Sequence, residues 1–368
     1  YHEKVILDNQ DGDQTNPIIF TSYDDERVVF DGTTEINSTW VPYSGNIWST
    51  EIGFDIWQLF VGYDEMVMAR WPNANFIDGS IWDKENHWAH GLIDDDEDAY
   101  ENGTMIDKPN GNISLENIGF NIEGATAILN VGSFKTFSRK VLTHSGNTFT
   151  YDPVDLWKTK HHDYFLENKL EFLDSEGEWF YNPDSLKIYF WPPDNVNPNN
   201  LDLRGKVQSY AFEIYNSDYI ELRDLEFFGT TVKFDNCDYS MIDHCNLFYP
   251  SCYKRMLGVV SVQPEMTVFN SSSYCKVKNS AFRFTDGSAL EMYSNKGYTA
   301  IGGGSLLSDK FKRYNRDKDV YIIVGEIKYT PNDDLYRFRP IYMDKNEVAV
   351  QNYIRCYGQQ KYPQKHQI

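Results

Sequence analysis

Apolar and polar residues alternate in short runs along nearly the whole chain, and helical spacing is almost absent. The runs are rich in Ile, Val, Phe and Tyr. Asn, Asp and Gly separate them, which is the pattern of strands joined by tight turns. An all-β protein is predicted. Near the N-terminus, Val5–Leu7, Pro17–Thr21 and Arg27–Asp31 follow one another in this way. Further on the runs repeat. "IYNSDYIELRDLEFF" from Ile214 and "FDNCDYSMIDHCNLF" from Phe234 match at Asn216/Asn236, Asp218/Asp238 and Tyr219/Tyr239. They also match at Leu222/Ile242, Phe227/Leu247 and Phe228/Phe248. "SSSYCKVKNSAFRF" sets Tyr274 in the place of Tyr239 and Phe282 in that of Leu247, and a fourth copy brings Asn295 and Tyr298 into phase. A rung of about 20 residues, with short strands and an Asn at a tight turn, describes a parallel β-helix. One rung cannot bury its own apolar face, so neighbours stack. Asn216 and Asn236 are then expected to bond from rung to rung, as side-chain amide ladders do.

Residues 37–204 break this rhythm. They hold Ile47–Ile52, Trp57–Phe60 followed by Met66–Arg70, Ala127–Val131, and the hairpin "GEWFYNPDSLKIYFWPPD" from Gly177. In that hairpin Glu178–Tyr181 and Leu186–Trp191 flank Asn182–Ser185. Pro192–Pro193 stops the second strand, because proline has no N–H for a ladder. The segment reads as an inserted β-lobe between first rungs at 1–36 and later rungs at 205–304. The hairpin's aromatics are expected at a lobe–solenoid seam or on a sugar-facing wall. "GLIDDDEDAYENG" from Gly91 reads as a solvated acidic loop. Residues 305–368 carry 12 Lys and Arg against 8 Asp and Glu, the reverse of the acidic remainder. With the rhythm lost, they are predicted to form an atypical β tail that caps the last rung or docks on a second molecule.

The formal net charge of -21 argues against nucleic acid and anionic membranes as partners. It would also repel an anionic polysaccharide, unless a local basic patch or bound cations intervene. No apolar stretch is long enough to span a membrane. The chain opens on Tyr1 with no visible signal peptide, so it reads as processed or truncated. Four N-x-[ST] triplets, at Asn37, Asn102, Asn112 and Asn270, are glycosylation candidates in a secreted chain. The cysteines are Cys237, Cys245, Cys252, Cys275 and Cys356, with no C-x-x-C pair. Buried free thiols are one reading; a Cys252–Cys275 disulfide in an oxidising compartment is the other.

Several stretches resemble a known group. "NPIIFTSYDDERVVFDGTTEI" is similar to the first full turn of the pectate-lyase-like, right-handed parallel β-helix carbohydrate-active proteins. "NIWSTEI", "IWQLFVGYDEMVMARWPN" and "HHDYFLENKLEFLDSEGEWFYNPDSLKIYFWPPD" resemble the inserted β-lobe of one branch of that group. "TDGSALEM" from Thr285 resembles a later rung and its loop. The resemblance covers roughly residues 1–295. It implies secreted proteins that act on polysaccharides as hydrolases or lyases, some with Ca²⁺. The chain departs from the group at "YHEKVIL", where an earlier strand and cap are usual, and after Tyr298, where further rungs would follow.

A lyase needs a base for the proton next to a uronic carboxylate and a cation for the enolate. Lys254 and Arg255, in the long loop Tyr249–Met266, are candidates, and that loop is expected to wall a cleft together with Thr285–Ser288. A hydrolase needs two carboxylates across the glycosidic bond. Asp286, Asp243 and Glu291 are the candidates, with His244 as a possible acid or base. The plain alternatives are a turn cap for Asp286 and a hydrogen-bonded rung residue for His244. Glu291 aligns with Val232, an inward place, and a slip of one residue turns it outward. "DNQDGDQTN" from Asp8 has some look of a calcium loop but lacks the closing Glu and the helices, and reads as a turn. His161–His162 lack a third ligand. Three functions compete: a secreted polysaccharide hydrolase or lyase, a non-catalytic extracellular protein that assembles into filaments or layers through open solenoid ends, and a carbohydrate-binding module that uses the β-lobe alone.

Overall fold

The computed structural model describes residues 1–24, 26–76, 78–93, 102–132, 135–154, 159–260, 264–286, 289–294, 300–301, 305–306 and 355–358. These fall into two compact units. The first comprises Tyr1–Thr33, Gln208–Cys252 and Pro264–Ile368; the second comprises Thr34–Val207 with Tyr253–Gln263.

The first unit is a parallel β-helix built of three stacked parallel sheets. The first sheet runs Val5–Asp8, Tyr210–Tyr215, Thr231–Asp235, Thr267–Asn270, Leu290–Ser294 and Arg355–Gly358. The second runs Ile18–Thr21, Ile220–Arg223, Met241–Asp243, Lys276–Lys278 and Ala300–Ile301. The third runs Val29–Asp31, Glu226–Phe228, Asn246–Phe248, Ala281–Arg283 and Ser305–Leu306. Each of the three N-terminal runs thus opens one sheet. The register follows the repeat: Leu222 lies beside Ile242, Phe227 beside Leu247, and Leu247 beside Phe282. The inward residues Ile214, Leu222, Phe227, Phe234, Leu247, Phe269 and Phe282 are fully or almost fully buried in one core. Phe234 and Phe269 stack with ring centroids 4.4 Å apart.

Residues at the corners take left-handed backbone angles, Asn216, Asn236, Tyr219, Tyr239 and Tyr274 among them. This region costs a non-glycine residue roughly 1–2 kcal/mol. Contacts between rungs offset the cost. Asn236 Nδ2 donates to Asn216 Oδ1 at 2.9 Å, the predicted ladder. Tyr219, Tyr239 and Tyr274 stack nearly flat at 4.8 and 4.7 Å. The Asp218 carboxylate accepts from the Asp238 N–H, and Asp238 from Ser273 N–H.

Four of the sequence expectations can be set against the structure here. Of the two readings of the cysteines, buried thiols are the one observed: Cys252 and Cys275 are both buried and form no disulfide. The Cys275 thiol points into the rung core and donates to Cys237 O at 3.1 Å. Glu291 aligns with Val268 and, through it, with Lys233 rather than Val232, so the one-residue slip is the real register and the side chain faces outward. The long loop after Tyr249 is divided between the two units. Its Tyr253–Gln263 part belongs to the second unit, where Met256 is buried and accepts from Tyr181 N–H. The tail lies outside the described residues except for Ser305–Leu306 and Arg355–Gly358. Those two pieces add parallel strands to the third and first sheets. An open strand edge pairs through main-chain groups whatever the side-chain rhythm. The acidic loop at 94–101 and the fourth-copy positions Asn295 and Tyr298 also lie outside the described residues.

The second unit centres on a six-stranded antiparallel barrel. Thr159–Glu167 pairs with Ala89–Ile93, and the order continues through Gly103–Lys108, Thr148–Tyr151, Lys135–Ser145 and Thr126–Gly132 back to Thr159–Glu167. Its core holds Met105, Leu129, Phe149, Tyr151, Tyr164 and Leu166. Gly103 is required there, since a Cβ would come within 2.2 Å of the Tyr151 ring. Beside the barrel, Glu178–Asn182 and Lys187–Phe190 form the expected hairpin, which extends a sheet with Ile47–Glu51 and Val67–Met68. Trp179, Tyr181, Ile188 and Phe190 are fully buried, while Phe180, Tyr189 and Trp191 pack on the barrel core. The hairpin's aromatics therefore form core within this unit instead of a sugar-facing wall. Of Met66–Arg70, Met66 pairs back with the Trp57–Phe60 run, its N–H donating to Leu59 O at 2.8 Å. Leu59–Val61 turns back through Asp64–Glu65, and Val67–Met68 then crosses to run parallel to the hairpin.

Candidate functional site

Of the six residues singled out for chemistry, Asp243 and His244 come together. Asp243 ends a strand of the second sheet with its side chain outward, and His244 takes the left-handed corner that follows. His244 Nδ1 lies 2.9 Å from Asp243 Oδ1. One rung on, Lys278 Nζ lies 2.9 Å from Asp243 Oδ2, and Asn279 Nδ2 donates to Oδ1 at 2.9 Å. Burial opposes ionisation of Asp243. The hydrogen bonds from Lys278 and Asn279 and the charges of Lys278 and His244 outweigh it and hold the carboxyl below its usual range. One rung back, exposed Asp224 occupies the corner equivalent to His244; its N–H donates to Asp243 O at 3.1 Å. Thr21 Oγ1 approaches its carboxylate at 3.4 Å. The outer edge of the second sheet therefore sets two carboxylates, an exposed imidazole, an ammonium and an amide on three successive rungs.

Asp224, Lys278 and Asn279 were missed in the sequence, although its phase contains them. Asp224 stands 20 residues before His244, and Asn279 takes the same corner after the 35-residue step that the Tyr253–Gln263 excursion creates.

The other candidates stand elsewhere. Glu291 is buried on the outer face of the first sheet, in a row that runs from Glu213 through Lys233 and Val268 to Glu291 and Arg355. Glu213 in that row accepts from Tyr215 Oη at 2.7 Å and pairs with Lys4 at 2.5 Å. Asp286 follows the third sheet. Its N–H donates to Ser251 Oγ at 3.1 Å and its carbonyl accepts from the same hydroxyl, a turn-capping arrangement. Asp286 belongs to the first unit, and Lys254 and Arg255 to the second. Arg255 pairs with buried Glu167, Nε to Oε2 at 2.7 Å. Lys254 Nζ sits 4.5 Å above the Trp57 ring.

Residues of the quoted lobe motifs meet in the interior of the second unit. Arg70, from "ARWPN", is 2% exposed and donates to Pro72 O at 2.9 Å and His87 O at 3.0 Å. Glu178, from "GEWFYNPD", accepts from Arg70 N–H and from the N–H groups of Asp174 and Ser175. These motifs encode the lobe's framework. The stretch at Asp8 forms a turn in which Asp13 Oδ1 accepts from the N–H groups of Thr15 and Asn16. Among the described residues no group of three His, Cys, Asp or Glu side chains is disposed to hold a metal. None of their helices is long and apolar enough to cross a membrane. Asn37, Asn102 and Asn112 are exposed, whereas Asn270 is engaged in the ladder, donating to Asp235 Oδ1 at 2.8 Å.

The fold and this site define a parallel β-helix protein with an inserted barrel. Residues 151–193 match the GH141 insertion domain, so the carbohydrate-active resemblance rests on a named family segment. Among solved structures, a glycoside hydrolase superposes with a TM-score of 0.62 at 13% identity, over 84% of this chain and 64% of that one. This likeness is one of fold. The chain spans less than two thirds of that neighbour's length. A structure titled as a complex of XylC with xylose aligns at a TM-score of 0.37 and 12% identity, over 83% of this chain and 53% of that one. No curated protein matches the chain in sequence.

Proposed function

We propose that the protein is a secreted, polysaccharide-active β-helix protein of the glycoside hydrolase type, acting along the outer face of the solenoid. The observation that carries this reading is the match to the GH141 insertion domain within a parallel β-helix chain. Hydrolysis with two carboxylates requires them on either side of the scissile bond. Asp243 and Asp224, on adjacent rungs about 4.8 Å apart, are the pair we assign. Asp243, held ionised by Lys278 and Asn279, suits the nucleophile or base. Asp224, exposed at the corner one rung back, is the second carboxylate of the pair. Elimination is less well served, because Arg255 is committed to Glu167 and Lys254 to Trp57.

The test is a panel of neutral and acidic polysaccharides, read for new reducing ends and for the ultraviolet absorbance of unsaturated lyase products. Reducing ends without that absorbance support hydrolysis. Asp243→Asn and Asp224→Asn should each abolish the release while leaving the melting temperature within a few degrees. Absorbing products would establish a lyase. Neither product from any substrate would favour the non-catalytic, assembling reading.

A further inference from the structure

The barrel of the second unit carries a depression of about 370 Å³, a size usual for small-molecule sites. It is lined by Asn121, Glu123, Gly124, the stretch from Lys140 to Leu142, and Lys169. Val141 is fully buried beneath the lining, and Leu142 is half-buried. Lys169 Nζ donates to Asn121 O at 2.9 Å and Glu123 O at 3.2 Å. An ammonium has three donors, so one remains for a ligand. Lys140 is exposed, and among the described residues its ammonium makes no ion pair or hydrogen bond. Glu123 supplies the only carboxylate in the lining.

The depression therefore sets two ammonium groups against one carboxylate, on a protein whose net charge is -21. A local reversal of this kind is what an acidic protein needs to hold an anionic sugar against long-range repulsion. The remaining lining supplies hydroxyl partners in the Asn121 amide and the Glu123 carboxylate, and the half-buried Leu142 for a C–H edge of a pyranose. We propose that this depression binds a hexuronate unit of an acidic glycan, with its carboxylate between Lys140 and Lys169. The site is separate from the Asp243 cluster, and the proposal does not depend on hydrolysis occurring there.

The test uses the full chain titrated with glucuronate, glucose and inorganic phosphate, followed by calorimetry and by amide chemical shifts. A free monosaccharide has no glycosidic bond to cleave, so the result is independent of any catalytic activity. Glucuronate is expected to bind and to shift the amides of Asn121–Gly124 and Lys140–Leu142, with glucose binding far more weakly. Lys140→Gln should weaken glucuronate about fivefold, the loss of one exposed charge pair, at an unchanged melting temperature. Glu123→Gln should tighten it. Lys169 ties down a turn and is a poor first target, so Lys140 decides. Equal binding of glucose and glucuronate would overturn the proposal. So would phosphate bound as tightly as glucuronate, which would mark a general anion site, or undiminished glucuronate affinity in Lys140→Gln.

Discussion

Replacing Arg70 by Met should destabilise the second unit more than any surface change. Arg70 is 2% exposed, and its guanidinium lies 3.9 Å from the centre of the Phe165 ring. Burial lowers its pKa and the nearby charges of Glu167 and Glu178 raise it, leaving it near 10, a cation at neutral pH. Methionine keeps much of the volume but removes both donors. The carbonyls of Pro72 and His87 then lose charge-assisted hydrogen bonds worth about 1.5–3 kcal/mol each. Glu167 and Glu178 also lose a neighbouring cation. Removing the desolvation cost of the guanidinium offsets part of this. The net loss should be about 3–5 kcal/mol, the range for breaking a buried charged network from one side. The assay has a built-in reporter. All nine tryptophans lie between Trp40 and Trp191, inside the Thr34–Val207 segment, so tryptophan emission follows this unit. With a urea m-value of about 1–3 kcal/mol/M, the midpoint should fall by at least about 1 M. A shift equivalent to less than about 0.5 kcal/mol, the ordinary surface effect, would refute the assignment of Arg70 to a structural network.

Two further outcomes test the first unit. Asp243 has a depressed pKa in the folded state, so its interactions contribute stability above the ordinary value of 3.8 and lose it as pH falls through the folded value. The stability gap between wild type and Asp243→Asn should be widest near neutrality and close in acid; a gap independent of pH, measured by circular dichroism in urea, would count against the ion cluster. Burial pushes the thiols of Cys237 and Cys245 up to about 11 and about 12, and Cys275 well up, so the thiolate needed for alkylation is scarce. Iodoacetamide at neutral pH should leave these three unlabelled by mass spectrometry until denaturant is added, and labelling of the native protein would contradict their place in the rung core.

What the sequence showed, and what it hid, follows from how far apart the interacting residues lie. The solenoid was legible because a rung's partners recur at a nearly fixed interval. Tyr219, Tyr239 and Tyr274 could be matched by eye, and they stack in space. The repeat fixes position around the rung, but strand face has a period of two, so one residue of misalignment reversed Glu291. The barrel was legible only as hairpins, because its closure joins Thr126–Gly132 to Thr159–Glu167 across intervening strands with no repeating signal. The same distance hid the Arg70 network, whose members Glu167, Glu178 and Arg255 are scattered over nearly two hundred positions. "ARWPN" and "GEWFYNPD" therefore stood out as motifs while their role did not. Motifs made distinctive by a buried charged framework mark an architecture and need not mark a reaction. In this chain, residues suited to reaction are those that break the apolar rhythm on the outside of a rung. Asp243 and His244 do so, with Asp224 before them and Lys278 and Asn279 after. None belongs to a recognisable motif, and the rungs alone bring them together.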